Sequence, residues 1–314
     1  MSKLTVRDVH VDQPLTNFSI GYMPGGFVAE RIAKPMRVNK ESDKYYIWDK
    51  DSAFRVQANG KFSLRADKTN AKEVDFGLST ATYQAEEYAL KILVSDREKD
   101  NADSVLRLRE SKLRRLQNLL YLEEEIRVAS LLTDSANWNP SHTDTPSVKW
   151  DAASDVKIEK NIDDAKEVVR KAIGVEPNTI VIPAAVAKVA KRDSSIRELI
   201  KYTQNNLLVN GDLPPTMFNM NVIIPGATYT TALEGATATY LDVYGDSVVL
   251  LYISPGTEAS METPDAIKIF RSKEWEVRSW RVDEKRSEAI EVSVIQDEVM
   301  TSNISGYLFT DVLT

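Results

Sequence analysis

The chain has no cysteine among its 314 residues. That excludes disulfides and thiolate metal sites and suits a reducing compartment. Histidine is nearly absent as well, with only His10 and His142 present. They lie far apart in irregular-looking segments and read as surface residues. No nucleophile-elbow motif accompanies them, which leaves little basis for Ser–His–Asp chemistry. P-loop and dinucleotide fingerprints are missing, and Gly25-Gly26 reads as a turn rather than a phosphate cradle. No apolar run reaches the ~18 residues of a membrane span. The opening MSKLTVRDVHVDQ lacks the hydrophobic core of a signal peptide. Basic residues are not in excess: 40 Lys and Arg stand against 47 Asp and Glu, a net charge of −7. A dedicated nucleic-acid binder usually shows a basic face. Repeats of fixed period and low-complexity tracts are missing too.

What is present is organised by one stretch, residues 103–132, uninterrupted by Gly or Pro and dominated by the helix formers Leu, Arg, Glu and Lys. Asp103 or Ser104 can cap its start. At 100° per residue, Leu106, Leu113, Leu116 and Leu120 form an apolar stripe, which Leu119, Leu122, Ile126 and Ala129 widen. Arg107, Glu110, Ser111, Arg114, Asn118, Tyr121 and Glu125 share the polar arc. About 30 residues make a helix about 45 Å long, well beyond the usual 11–12 residues.

Before this helix, residues 1–26 read as an arm: an extended segment needing a partner surface, or a frayed terminus. Residues 39–89 read as a two-stranded excursion. Tyr45, Tyr46, Ile47 and Trp48 are strand formers, and Ala81, Tyr83 and Ala85 alternate with polar neighbours. Between them, residues 57–72 carry Lys61, Arg65, Lys68 and Lys72 against Asp67. A lone hairpin is marginal in water, so the excursion is expected to lie on another subunit, or else to be a solvated loop.

After the helix, residues 137–149 read as a loop. Residues 162–173 read as an amphipathic helix with Asn161 as cap and Gly174 as stop. Residues 178–183, 222–225 and 247–253 read as short buried strands. With helices at 184–191 and 196–202, the latter capped by Ser194 or Ser195, they form a mixed α/β unit at roughly 177–270. Strands return at 266–271, 275–283, 289–295 and 304–308, expected to pack on the long helix. The carboxylate runs Glu86-Glu87, Asp163-Asp164 and Glu123-Glu124-Glu125 read as solvated faces, not acid–base pairs. The basic cluster Arg107, Arg109, Lys112, Arg114 and Arg115 has two readings. One is phosphate contact without sequence information; the other is intrahelical pairing, such as Glu110 with Arg114.

Three stretches carry a family resemblance: FVAERIAKPMRVNKESDKYYIWDKDSAFR, EVDFGLSTATYQAEEYALKILVSDREKDNAD and SNISGYLFTDVL. Together with the order of the parts, they make the chain similar to major capsid proteins of tailed bacteriophages, which have the Hong Kong 97-type capsid fold. The resemblance implies an α+β protein with an N-terminal arm (1–26) and an extended β-hairpin loop with its base strands (27–89). It implies a peripheral domain containing the spine helix (90–176, completed by strands at 271–314) and an axial α/β domain (177–270). It implies a non-enzymatic shell protein of the virion, assembled in the host cytoplasm as hexamers and pentamers, with no cofactor and no metal. Its partners would be copies of itself, a portal, a decoration protein, non-specifically packaged DNA and a scaffolding protein. Because only the arm precedes the family pattern, the scaffold is expected to be a separate protein. Lys61, Arg65, Lys68 and Lys72 would then contact a neighbouring subunit, and Arg107 and Arg114 would face DNA. The rival readings are an encapsulin-like nanocompartment, a soluble α/β enzyme with a flexible N-terminal region, and a tail-tube protein, whose mostly β architecture the long helix opposes.

Overall fold

The computed structural model describes residues 10–12, 15–16, 19, 25–47, 63–71, 79–102, 105–154, 156–201, 213–233, 235–256 and 263–314. Strand β1 (His10–Val11) comes first, then the short helix α1 (Ala29–Ile32) and strand β2 (Lys34–Arg37). Strands β3 (Ser42–Ile47) and β4 (Ser79–Gln84) precede β5 (Glu86–Ser95), which leads through α2 (Asp96–Asp100) into α3 (Val105–Thr133). Strand β6 (Thr143–Asp144), α4 (Ile158–Ile173), β7 (Thr179–Val181), α5 (Ala184–Ala190) and α6 (Ser194–Lys201) follow. Next are β8 (Thr216–Met217), β9 (Met220–Ile223), β10 (Thr228–Tyr229), β11 (Leu241–Asp242) and β12 (Val248–Leu251). The chain closes with β13 (Ile267–Val282), β14 (Ser287–Met300) and β15 (Gly306–Phe309).

Helix α3 matches the expected span to within a few residues. Its buried face differs in a telling way. Leu113, Leu116 and Leu120 are buried as the stripe predicts, but so are Gln117, Tyr121, Glu124 and Glu125, while Leu119 is exposed. This face lies on a five-stranded sheet ordered β1–β13–β14–β5, with β2 running parallel beside β13. Val94, Trp275, Val277, Ile290, Val292 and Val294 meet it there, and the Tyr121 and Trp275 rings sit 4.8 Å apart. Each fully buried Leu or Val contributes about 1.5–3 kcal/mol relative to exposure, so this interface holds the helix in place. Strand β13 spans what the sequence divides into two strands. Its pairing with β14 shifts register between Arg271 and Lys273 and again before Glu276, the irregularity of a bulge.

The second sheet has six strands in the order β6–β15–β12–β7–β9–β8. Its central strands β7 and β12 are buried on both faces, which fits their apolar runs, while the edge strands β6 and β8 keep an exposed residue each. Val181, Val249, Leu251 and Leu308 face the cluster holding Val128, Ala129 and Leu132 of α3. Ile180, Val248, Leu250 and Phe309 face the cluster built from α4, α5 and Trp150. Strand β15 pairs with β12 and β6 in this second sheet, apart from β13 and β14 in the first, and its Leu308 still packs on the long helix, as expected of the returning strands.

Local signals also need correction. Helix α4 starts at Ile158, four residues early, and Asn161 lies inside it; Gly174 does end it, at φ 80°. Asp193, not Ser194 or Ser195, caps α6: its Oδ1 accepts from the N–H of Ser195 at 3.0 Å and of Ile196 at 3.3 Å. His142 is buried rather than exposed, with Nδ1 2.8 Å from the Gly306 carbonyl oxygen.

The described arm residues find their partner surface on their own chain. The Asp12 N–H donates to Val277 O at 3.1 Å, Leu15 is buried beneath α3, and Gln117 Nε2 donates to Ser19 Oγ at 2.6 Å. Strands β3 and β4 form the expected antiparallel pair. Tyr83 stacks on Phe270 with centroids 4.5 Å apart, and Tyr45 lies 5.3 Å from the same ring. From Glu86 onward the chain belongs to β5 and pairs with β14. Trp48 lies outside the described residues.

Candidate assembly surfaces and a polar seam

The polar arc of α3 opens into a shallow recess of about 500 Å³ lined by Arg107, Glu110, Ser111, Arg114, Arg115 and Asn118. Seven-residue spacing on a 3.6-residue helix puts Arg107 and Arg114 on one side, and the structure places both in this recess. Arg109 and Lys112, from the same basic cluster, serve the fold instead. Arg109 Nη2 bridges Asp12 at 2.6 Å and Glu288 at 2.8 Å, and Lys112 reaches Glu98 at 3.0 Å. The recess therefore presents three guanidinium groups and one carboxylate.

The excursion presents a second surface. Arg65 and Lys68 are exposed. Lys68 sits at φ 59° in a turn closed by the Thr69 N–H on Ala66 O at 3.3 Å. Leu64 beside them is 69% exposed. Lys61 and Lys72 lie outside the described residues. Among the described residues, no group of three or more His, Cys, Asp or Glu could hold a metal ion, and no helix is long and apolar enough to cross a membrane.

A third feature is not foreseen from the sequence: a polar seam where α3 meets α1, β13 and β14. Helix α1 has no capping side chain of its own. Glu125 supplies one from α3: its Oε2 accepts from the Val28 N–H at 2.8 Å and the Ala29 N–H at 2.7 Å. Burial pushes the Glu125 carboxyl up, and those two amides partly offset it. One residue earlier, Glu124 faces the sheet. Arg127 forks onto Glu298 with bonds of 2.9 and 2.8 Å and lies over the Tyr88 ring at 3.7 Å. Arg271 donates to Gln296 at 2.8 Å and Glu30 at 2.6 Å, and approaches Glu274 at 3.5 Å. Within the Glu123-Glu124-Glu125 run, Glu123 is exposed as expected, but Glu124 and Glu125 are buried and not part of a solvated face. The usable signal was its position: Glu124 lies at i+4 from Leu120 and i−4 from Val128, in line with the apolar stripe.

Comparison with known proteins fits this architecture. A family model described as phage capsid protein matches residues 79–285. The major capsid protein of Burkholderia phage BcepMu is 26% identical over 99% of this chain and 98% of its own length. A phage-related protein from Bordetella bronchiseptica, solved by crystallography, superposes with a TM-score of 0.74 at 20% identity, covering 96% of this chain and 97% of that one. The capsid structure of the cyanophage P-SCSP1u gives 0.62 at 10% identity, with 92% and 90% covered. The fold is that of the Hong Kong 97-type capsid proteins, an α+β class whose members build closed shells. The chain belongs to the phage capsid protein family, and its role is structural, as a major capsid protein of the virion. An encapsulin shares the fold too, so the fold alone does not separate genome container from cargo container; the family match and the full-length phage relative do.

Proposed function

We propose that the chain assembles, through hexamers and pentamers of itself, into the icosahedral shell around the double-stranded DNA of a tailed phage. Assembly takes place in the host cytoplasm, with a portal and a scaffolding protein, and a decoration protein is a further partner. In this reading residues 1–26 are the arm, 27–89 the extended loop and its base, 90–176 and 271–314 the peripheral domain, and 177–270 the axial domain. The observation that carries it is the excursion. Its base is pinned by Phe270, while Leu64, Arg65 and Lys68 stand in solvent with an apolar side chain uncovered. Such a segment gains stability only on another surface, and weak contacts repeated by symmetry make a strong shell. Deleting residues 57–72 should leave a folded protomer that fails to form stable shells, as read by particle mass from light scattering and by electron microscopy. Shells of normal mass from the deletion would remove this role from the loop.

The recess on α3 takes the DNA-facing role in the same reading, with Arg107 and Arg114 contacting phosphates. Replacing both by alanine should weaken DNA retention in filled particles and leave shell assembly intact. The log–log slope of retention against salt should become shallower by about 1 for every arginine–phosphate pairing the substitutions remove. Unchanged retention across salt concentrations would end that assignment.

A further inference from the structure

The seam holds more buried carboxylates than cations to match them. Glu298 is matched by the forked Arg127. Glu30, on α1, takes the 2.6 Å contact of Arg271, and Glu274 of β13 takes Arg271 at 3.5 Å and the exposed Arg37 at 3.1 Å. Glu124 is left over. It is 1% exposed, its closest cation contact is Arg271 at 3.7 Å, and neither of its oxygens receives a hydrogen bond of standard geometry. Gln296, which faces it from β14, donates its amide to Glu298 at 2.8 Å. The remaining titratable neighbour, Tyr121, lies one turn back on α3 and is itself buried. An ionised carboxylate in such a place is far costlier than a neutral one, so the group takes a proton instead.

We propose that the seam is a proton-operated latch: Glu124 is protonated while α1 and its flanking segment are docked on the long helix, and losing that proton to solvent drives them apart. The element that moves is set by the neighbouring side chains. Glu124 faces Glu30 of α1, and the adjacent Glu125 holds the same short helix by its N–H groups. Once Glu124 is charged, one guanidinium must serve Glu30 and Glu124 together, and α1 bears the repulsion. Burial, with the Glu30 charge next in size, pushes the Glu124 carboxyl up to about 8, while Arg271 partly offsets both. The sign follows from linkage. A carboxyl raised in the folded state favours docking fully below the ordinary Glu range, and that contribution is lost as pH climbs through about 8.

The test uses the full chain. Infrared spectroscopy at neutral pH should show a protonated-carboxyl band that Glu124→Gln removes. Hydrogen exchange at the α1 amides, corrected for intrinsic rates, should report an opening equilibrium that rises by up to roughly tenfold per pH unit toward pH 8. Glu124→Gln should flatten this dependence and keep α1 protected, while Glu123→Gln, on the exposed neighbour, should behave like the unmodified chain. A neutral-pH spectrum without the band overturns the proposal, as does a Glu124→Gln variant that keeps the same pH dependence.

Discussion

Replacing Gly306 by alanine should cost this protein at least ~3 kcal/mol, the upper end of what overpacking usually exacts. Gly306 opens β15, opposite Leu251 in the ladder with β12. A Cβ placed there would lie 2.5 Å from the Leu250 carbonyl oxygen and 2.8 and 2.9 Å from two carbons of the Trp138 ring. The ring cannot swing away freely. Trp138 is buried and its Nε1 donates to Leu132 O at 2.9 Å, tying it to the last turn of α3. The carbonyl cannot move either, because it belongs to a central strand paired on both sides. His142, bonded to the Gly306 carbonyl, would be displaced with the strand. Against a typical total of 5–15 kcal/mol, such a loss should move the urea midpoint of the unassembled chain far down. Adding Trp138→Leu should recover only part of it, since the backbone clash remains. A Gly306→Ala midpoint equal to that of the unmodified chain would show that β15 does not sit where this account puts it.

How much of this was legible in the sequence depended on the range of the cause. The long helix was legible because a run without Gly or Pro and a leucine stripe are local facts. The recess was legible for the same reason: helical spacing alone puts Arg107 and Arg114 on one side. Strands β7, β9, β12, β13, β14 and β15 could be found from apolar runs, but β6 fell in a stretch that reads as a loop, β5 and β8 were not found, and β15 could not be assigned to its sheet. A period-two pattern says that Leu308 and Phe309 face opposite ways, and nothing about which strand lies alongside. The need for glycine at position 306 arises from Trp138 and Leu250, which are distant in sequence. The seam failed similarly. A carboxylate run on a helix reads as solvent-facing until Arg271, Gln296 and Glu298 are known to stand opposite, and they come from β13 and β14, well over a hundred residues later. Glu125 as a cap for α1 was hidden because caps are sought next to a helix, and this one comes from another element.

Removing the cation at the centre of the seam should produce the other large effect. Arg271→Leu keeps much of the side-chain volume but leaves Glu30 and Glu124 without their guanidinium and Gln296 Oε1 without its donor. Breaking a buried ionic group from one side typically costs 3–5 kcal/mol, because the charges left behind are uncompensated. The loss should depend on pH in a definite direction. Glu124, whose carboxyl burial raises, binds a proton in the folded state that the unfolded chain releases, so stability falls as pH rises through its folded pKa and returns on acidification. Arg271→Leu should therefore be least stable above pH 8 and recover towards pH 5, a steeper dependence than the unmodified chain shows. Neutralising the stranded acids by adding Glu30→Gln and Glu124→Gln should restore much of the stability at neutral pH, and the rescue should exceed the sum of the two glutamine substitutions measured alone, since the three side chains act as one unit. Urea titrations at several pH values give all of these numbers. If the single and triple variants fall on one curve, the seam is ordinary packing; if the glutamines rescue Arg271→Leu at neutral and high pH but not near pH 5, the charge imbalance is what holds, and can release, the N-terminal segment on the long helix.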